Sequence, residues 1–105
     1  MKAVIKNVGE KAKIVDIENE LFTLQKIVEG DIEYFPLPNE MVLVCNETGK
    51  MDKLPLNFIL EVDDYTDPIV GNVIFMGDNE DHTDCIDLSD EQIEVLHSVG
   101  LFSIK

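Results

Sequence analysis

Met41-Val42-Leu43-Val44-Cys45 is the longest uninterrupted apolar run in the chain, and it has the length of a strand rather than of a membrane span. Because every position is apolar, it predicts a strand buried on both faces and therefore inside a sheet. Upstream, Asp31-Ile32-Glu33-Tyr34-Phe35-Pro36-Leu37 alternates and then stops at the turn Pro38-Asn39-Glu40. The two segments read as an antiparallel pair. Downstream, Asn46-Glu47-Thr48-Gly49-Lys50 has turn chemistry, since Asn and Gly tolerate positive φ.

The segments on either side extend this pattern. Ala3-Val4-Ile5 and Ile14-Val15 are short and β-branched with a Gly-containing turn between them, which predicts a hairpin. Leu21, Leu24, Ile27 and Val28 recur at helical spacing and predict a helix over 20–29, capped by Asn19 and ended by Gly30. Pro55 favours one helical turn in Leu54–Leu60, followed by an acidic loop at 63–68. Ile69–Met76 reads as a further buried strand with a bulge at Gly71. Ser89 and Gln92 form an S-x-x-Q capping box ahead of Ile93, Leu96 and Val99, which predicts a last helix closed by Gly100. The expected fold is α+β: about five mostly antiparallel strands in one sheet, with two short helices packed on it and covering a face. At 105 residues the chain is expected to form a single domain, 1–105.

Composition narrows the function. Hydrophobic residues make up 45% of the chain, enough to build a core. The 22 Asp and Glu against 8 Lys give a net charge of −14, which argues against direct binding to nucleic acid or to an anionic membrane surface. The N-terminal Met1–Lys6 returns to charge too soon for a signal peptide, so the expected location is cytoplasmic, with Cys45 and Cys85 as thiols. No nucleophile elbow, Walker loop or dinucleotide fingerprint occurs, so no catalytic residue and no cofactor are assigned. His82 and Cys85 supply one close ligand pair where a structural zinc site has two, and the acids after Asp78 miss the EF-hand register, so no metal is assigned either.

The charge is unevenly placed. Between Leu54 and Ile104 there are twelve acidic residues and no Lys or Arg. Solubility accounts for an acidic composition. The sharper reading is an anionic surface, made of Asp63, Asp64, Asp67, Glu80, Asp81, Asp84 and Asp87, that stands in for phosphates before a basic partner. An alternative site, for a nucleotide or signalling metabolite, would use Asn46, Glu47, Gly49, Lys50 and Asn57.

Three further stretches carry a resemblance: Leu24-Gln25-Lys26-Ile27-Val28-Glu29-Gly30-Asp31-Ile32-Glu33 with Pro36-Leu37-Pro38, then Val42–Lys50, then Leu54-Pro55-x-Asn57. With Ile69-Val70-Gly71-Asn72 and Leu88–Ile93, they make the chain similar to a family of small proteins of unknown function from phages, plasmids and conjugative elements of Gram-positive bacteria. It departs from that family after Asn57, where Phe58-Ile59-Leu60 replaces basic residues and points to an apolar contact patch. The resemblance implies a mobile-element habitat. Joined to the acidic charge, it leads to the expectation of a non-catalytic inhibitor of a host defence nuclease, of CRISPR or restriction type.

Overall fold

A computed structural model describes residues 1–62, 64–81 and 84–100. Within these, β1 (Lys2–Lys6) and β2 (Lys13–Asp16) form the expected hairpin, and α1 (Leu21–Val28) follows. Then come β3 (Ile32–Leu37), β4 (Met41–Asn46), β5 (Leu56–Val62) and β6 (Tyr65–Val70). The chain continues through β7 (Val73–Asp78), β8 (Cys85–Ile86) and α2 (Asp90–Ser98). The larger sheet runs β2-β1-β7-β4-β3, with β8 paired to β7, and all its pairings are antiparallel. β4 lies inside it, between β7 and β3, as its all-apolar sequence predicts.

Alternation along the strands divides the core into two layers. Val4, Leu43, Val73 and Phe75 face one side with Leu88, Ile93 and Leu96 of the α2 region. Ala3, Ile5, Val42, Val44, Ile74 and Met76 face the other side with Leu24 and Val28 of α1. The fold class is α+β as expected, but the helices lie on opposite faces rather than sharing one. Each helix has a single apolar stripe, and a sheet apolar on both faces needs a cover on each.

The segment after β4 differs most from expectation. Leu56–Val62 is a strand, not a helical turn, and Tyr65–Val70 is its antiparallel partner, not a loop. They form a separate two-stranded sheet that drapes over the α2 side, where Ile69 is buried and Phe58 stacks on Phe75 with ring centroids 6.1 Å apart. Pro68 sits opposite Ile59 in this ribbon. A two-stranded ribbon leaves one side of each strand without ladder bonds, so proline is tolerated there. Ile69–Met76 is accordingly two strands, and Gly71, at φ 74°, turns the chain from one sheet to the other.

Local caps follow the sequence only in part. At α2 the Ser89 side chain accepts from the Gln92 N–H and the Gln92 side chain accepts from the Ser89 N–H, completing the capping box. At α1, Glu20 occupies the N-cap position without a side-chain bond, because Asn19 donates instead to Asp84 Oδ1 (3.0 Å) and the Cys85 carbonyl (3.4 Å). The left-handed residue ending α1 is Glu29, at φ 62°, rather than Gly30.

Candidate functional site

Register places β1's start, β2's end, β4's start and β7's end together at one end of the larger sheet. That end receives Asp16, Glu40, Asp78 and the loop acids Glu80 and Asp81. It also receives Asp84, Asp87, Asp90 and Glu91 through β8 and the start of α2. Among the described residues, the cations there are the Met1 amine, 2.6 Å from Asp16, and Lys2, whose Nζ lies 2.9 Å from Asp90. These contacts hold the Asp16 and Asp90 carboxyls below the usual range, chiefly by hydrogen bonding to the cation.

The two ends of the acidic loop are tied to each other and to the sheet. The Asp84 N–H donates to Asn79 Oδ1 (3.4 Å) and the Asn79 N–H to the Asp84 carbonyl (3.3 Å), closing the turn. Asp84 Oδ1 also accepts from the Cys85 N–H (2.9 Å), and Asp87 Oδ1 from the Lys2 N–H (3.1 Å). Gly77 lets the chain pass closely here, since a Cβ on it would lie 2.7 Å from the Asp87 carbonyl oxygen. Glu80, Asp81, Asp84 and Asp87 are all exposed. Beside them, a shallow groove of about 360 Å³ lies between Asn39–Glu40 and the first turns of α2. Gln92 Nε2 bridges it by donating to both carbonyls of that turn, each at 2.8 Å.

The other proposed acids are placed elsewhere. Asp64 is exposed in the tip turn of the β5–β6 ribbon. Asp67 is largely buried and ion-paired to Lys50, at the opposite end of the larger sheet. Asp63 lies outside the described residues, as does His82. Of the seven acids, the fold therefore gathers Glu80, Asp81, Asp84 and Asp87.

The alternative ligand residues do share that opposite end, with Lys6, Lys11, Lys13, Lys50 and Lys53. The side-chain polar atoms of Asn46 and Asn57 are engaged internally. Asn46 Nδ2 donates to the Val28 and Glu29 carbonyls (3.2 and 3.3 Å), and its Oδ1 accepts from the Thr48 N–H (2.9 Å). Asn57 Nδ2 donates to the Lys6 and Gly71 carbonyls (2.8 and 2.7 Å) while its Oδ1 accepts from Lys6 Nζ (3.0 Å), tying the two sheets together. Gly49 is buried and closely packed, and Glu47 is exposed. Burial lowers the Lys6 ammonium pKa from its ordinary value.

Cys45 packs toward the α2 face and Cys85 toward the α1 face, so the sheet separates them and they share neither a metal site nor a disulfide. Burial first, then nearby carboxylates, push both thiols up to about 11. Among the described residues, no three His, Cys, Asp or Glu side chains converge as metal ligands. No helix among them is long and apolar enough to cross a membrane.

Sequence reasoning overlooked three exposed side chains near the acidic end: Leu21, Phe22 and Tyr34. Leu21 reads as a core position by periodicity, and Tyr34 as half of an ordinary alternation. The curated proteins and the solved structures compared with this chain contain no match to it. A family model does match, over residues 1–100, and on that match the chain belongs to DUF3846, a domain of unknown function.

Proposed function

We propose that this chain is a non-catalytic binding protein whose acidic end engages a basic surface on another protein. The observation that carries the reading is the placement of Glu80, Asp81, Asp84 and Asp87. They are exposed at one end of the sheet, where the lysines of the opposite end do not neutralise them. Carboxylates gathered at one end of the sheet present a concentration of negative charge, which steers and orients a cationic partner. In the form we favour, the partner is a cytoplasmic host defence nuclease of CRISPR or restriction type, and the protein belongs to a phage or conjugative element. The carboxylates then occupy the nuclease's phosphate-binding Lys and Arg and inhibit it as a nucleic-acid mimic. The small-ligand alternative is weaker, because Asn46, Asn57 and Lys50 already have partners inside the fold.

The test is a pull-down with tagged protein from a Gram-positive host with intact restriction and CRISPR systems, washed at low and then high salt. A nuclease held at low salt and shed at high salt supports the reading. Retention that is unchanged in a Glu80→Gln/Asp81→Asn/Asp87→Asn variant refutes it.

A further inference from the structure

One helix is too narrow to cover its face of this sheet. The five strands β2-β1-β7-β4-β3 span about 19 Å at ~4.8 Å per step, while a helix is about 10–12 Å wide with its side chains. α1 packs on β4 and β7 and reaches the edge strand β3 only in part. Tyr34 and Pro36 pair across from Val44 and Val42, which belong to the α1 side, so both stand on that face of β3. Tyr34 is 51% exposed.

The matching flank of α1 is apolar as well. Gln25 marks the side turned to β3, since its Nε2 donates to Asp31 just before that strand (3.3 Å). Leu21 is four residues earlier and shares this flank, at 58% exposure, while Phe22 lies about 100° further round the helix, on its outer surface, at 66%. The result is a ledge, with a wall of α1 side chains and a floor of β3 side chains. Its surroundings are acidic: Glu18, Glu20 and Asp31 border it, and Asp84 joins it to the acidic end through Asn19. A hydrogen bond with the Glu18 carboxyl, and then repulsion between the two charges, raises Glu20's carboxyl above its ordinary value. The ring of Phe22 already carries an ammonium, Lys26 Nζ, 5.6 Å from its centroid.

We propose that this ledge is the docking site for a basic amphipathic helix of the partner protein, with Leu21, Phe22 and Tyr34 as its apolar contacts. A second helix packed beside α1 at the usual spacing of about 8–10 Å would lie over β3, the acidic border suits Lys and Arg on its flanks, and aromatic anchors ringed by charge are the usual centre of such contacts. The inference rests on the reading of the chain as a binder of basic proteins and names the part of the partner that is bound.

The experiment uses two labelled peptides of about 14 residues with equal positive charge, one a Leu/Lys amphipathic helix and the other with Ser for Leu. Affinities are measured by fluorescence anisotropy, and contacts by amide chemical shifts. The Leu/Lys peptide is expected to bind about tenfold more tightly and to shift Leu21, Phe22 and Tyr34, with the gain removed in Leu21→Ser/Phe22→Ser. Both side chains are exposed, so the variant keeps its core. Equal affinities, or a gain that survives the variant, overturn the ledge. So does a dimer in sedimentation equilibrium that the variant abolishes, since a second copy would then be the occupant. The Ser/Lys peptide reads the acidic end separately. If it binds and the Leu/Lys peptide gains nothing, only the ledge falls; if it does not bind at low salt, the broader reading falls too.

Discussion

The side-chain amide of Asn46 lies where a side chain on Gly30 would begin: a Cβ there would be 2.5 Å from Asn46 Nδ2. Glycine at 30 is thus required by contact rather than by dihedral angle. The space it leaves lets Asn46, at the end of β4, satisfy the Val28 and Glu29 carbonyls at the end of α1. Helix and sheet are joined at this point. Asn46→Ala is expected to cost about 1–3 kcal/mol by leaving buried carbonyls unpaired, and Gly30→Ala about 1–3 kcal/mol by overpacking. In the Asn46→Ala background Gly30→Ala should cost far less, because the clashing amide is gone. Denaturant melts of the four proteins in this cycle check it, and strict additivity would contradict the contact.

Glu29 provides the converse test. It holds φ 62° at the end of α1 with an exposed side chain. Glu29→Gly should stabilise by roughly 0.4–1 kcal/mol, since glycine adopts that conformation without the steric penalty. A thermal melt showing a lower Tm would contradict it.

Titration gives opposite slopes at the two ends of the pH scale. Cys45 and Cys85 are raised to about 11 from 9.0, so the stability that their neutral burial contributes is full below pH 9 and is lost between 9 and about 11, as the unfolded chain ionises first. Asp16 and Asp90 are lowered from 3.8, so the small stability they add is present above that value and lost as pH falls through their depressed pKa values. Thiolate absorbance on alkaline titration should rise near pH 11 in the native protein and near 9 in denaturant. Coincident curves would contradict the burial of the two thiols.

Gln92 completes the cap of α2 and bridges the carbonyls of Asn39 and Glu40, both left-handed at φ 65° and 57°. Gln92→Ala should therefore cost about 1–2 kcal/mol, above a simple cap loss, and speed amide exchange in both α2 and the β3–β4 turn. Faster exchange in α2 alone would show that the bridge to the turn contributes nothing.

The elements most legible in the sequence are those whose signals are local. Ser89 and Gln92 lie three residues apart and specify their cap without outside help, and Met41–Cys45 declares its burial by composition. The ribbon of Leu56–Val62 and Tyr65–Val70 was not legible, because Pro55 suits the first turn of a helix and Pro68 argues against a strand in the second of these segments. Both arguments give way to pairing with a partner and packing on Phe75, which no window of sequence contains. The same applies to Asn19, which suits a helix cap but serves Asp84, a partner 65 residues on. The acids of the candidate site were visible as charge, whereas their division between two ends of the sheet depends on register. The side to which a helix stripe turns is likewise a property of chain path, not of periodicity.

The most direct test of the account is competition between this chain and duplex DNA for the nuclease captured in the pull-down. The chain is expected to displace DNA, with an affinity that falls steeply between 50 and 200 mM salt, by at least about tenfold for several charge contacts. It should weaken by a similar factor in Glu80→Gln/Asp81→Asn/Asp87→Asn, but not in Glu10→Gln/Glu29→Gln/Glu47→Gln at the opposite end. Displacement that survives neutralisation of the acidic end, or that the two variants weaken equally, would contradict the account.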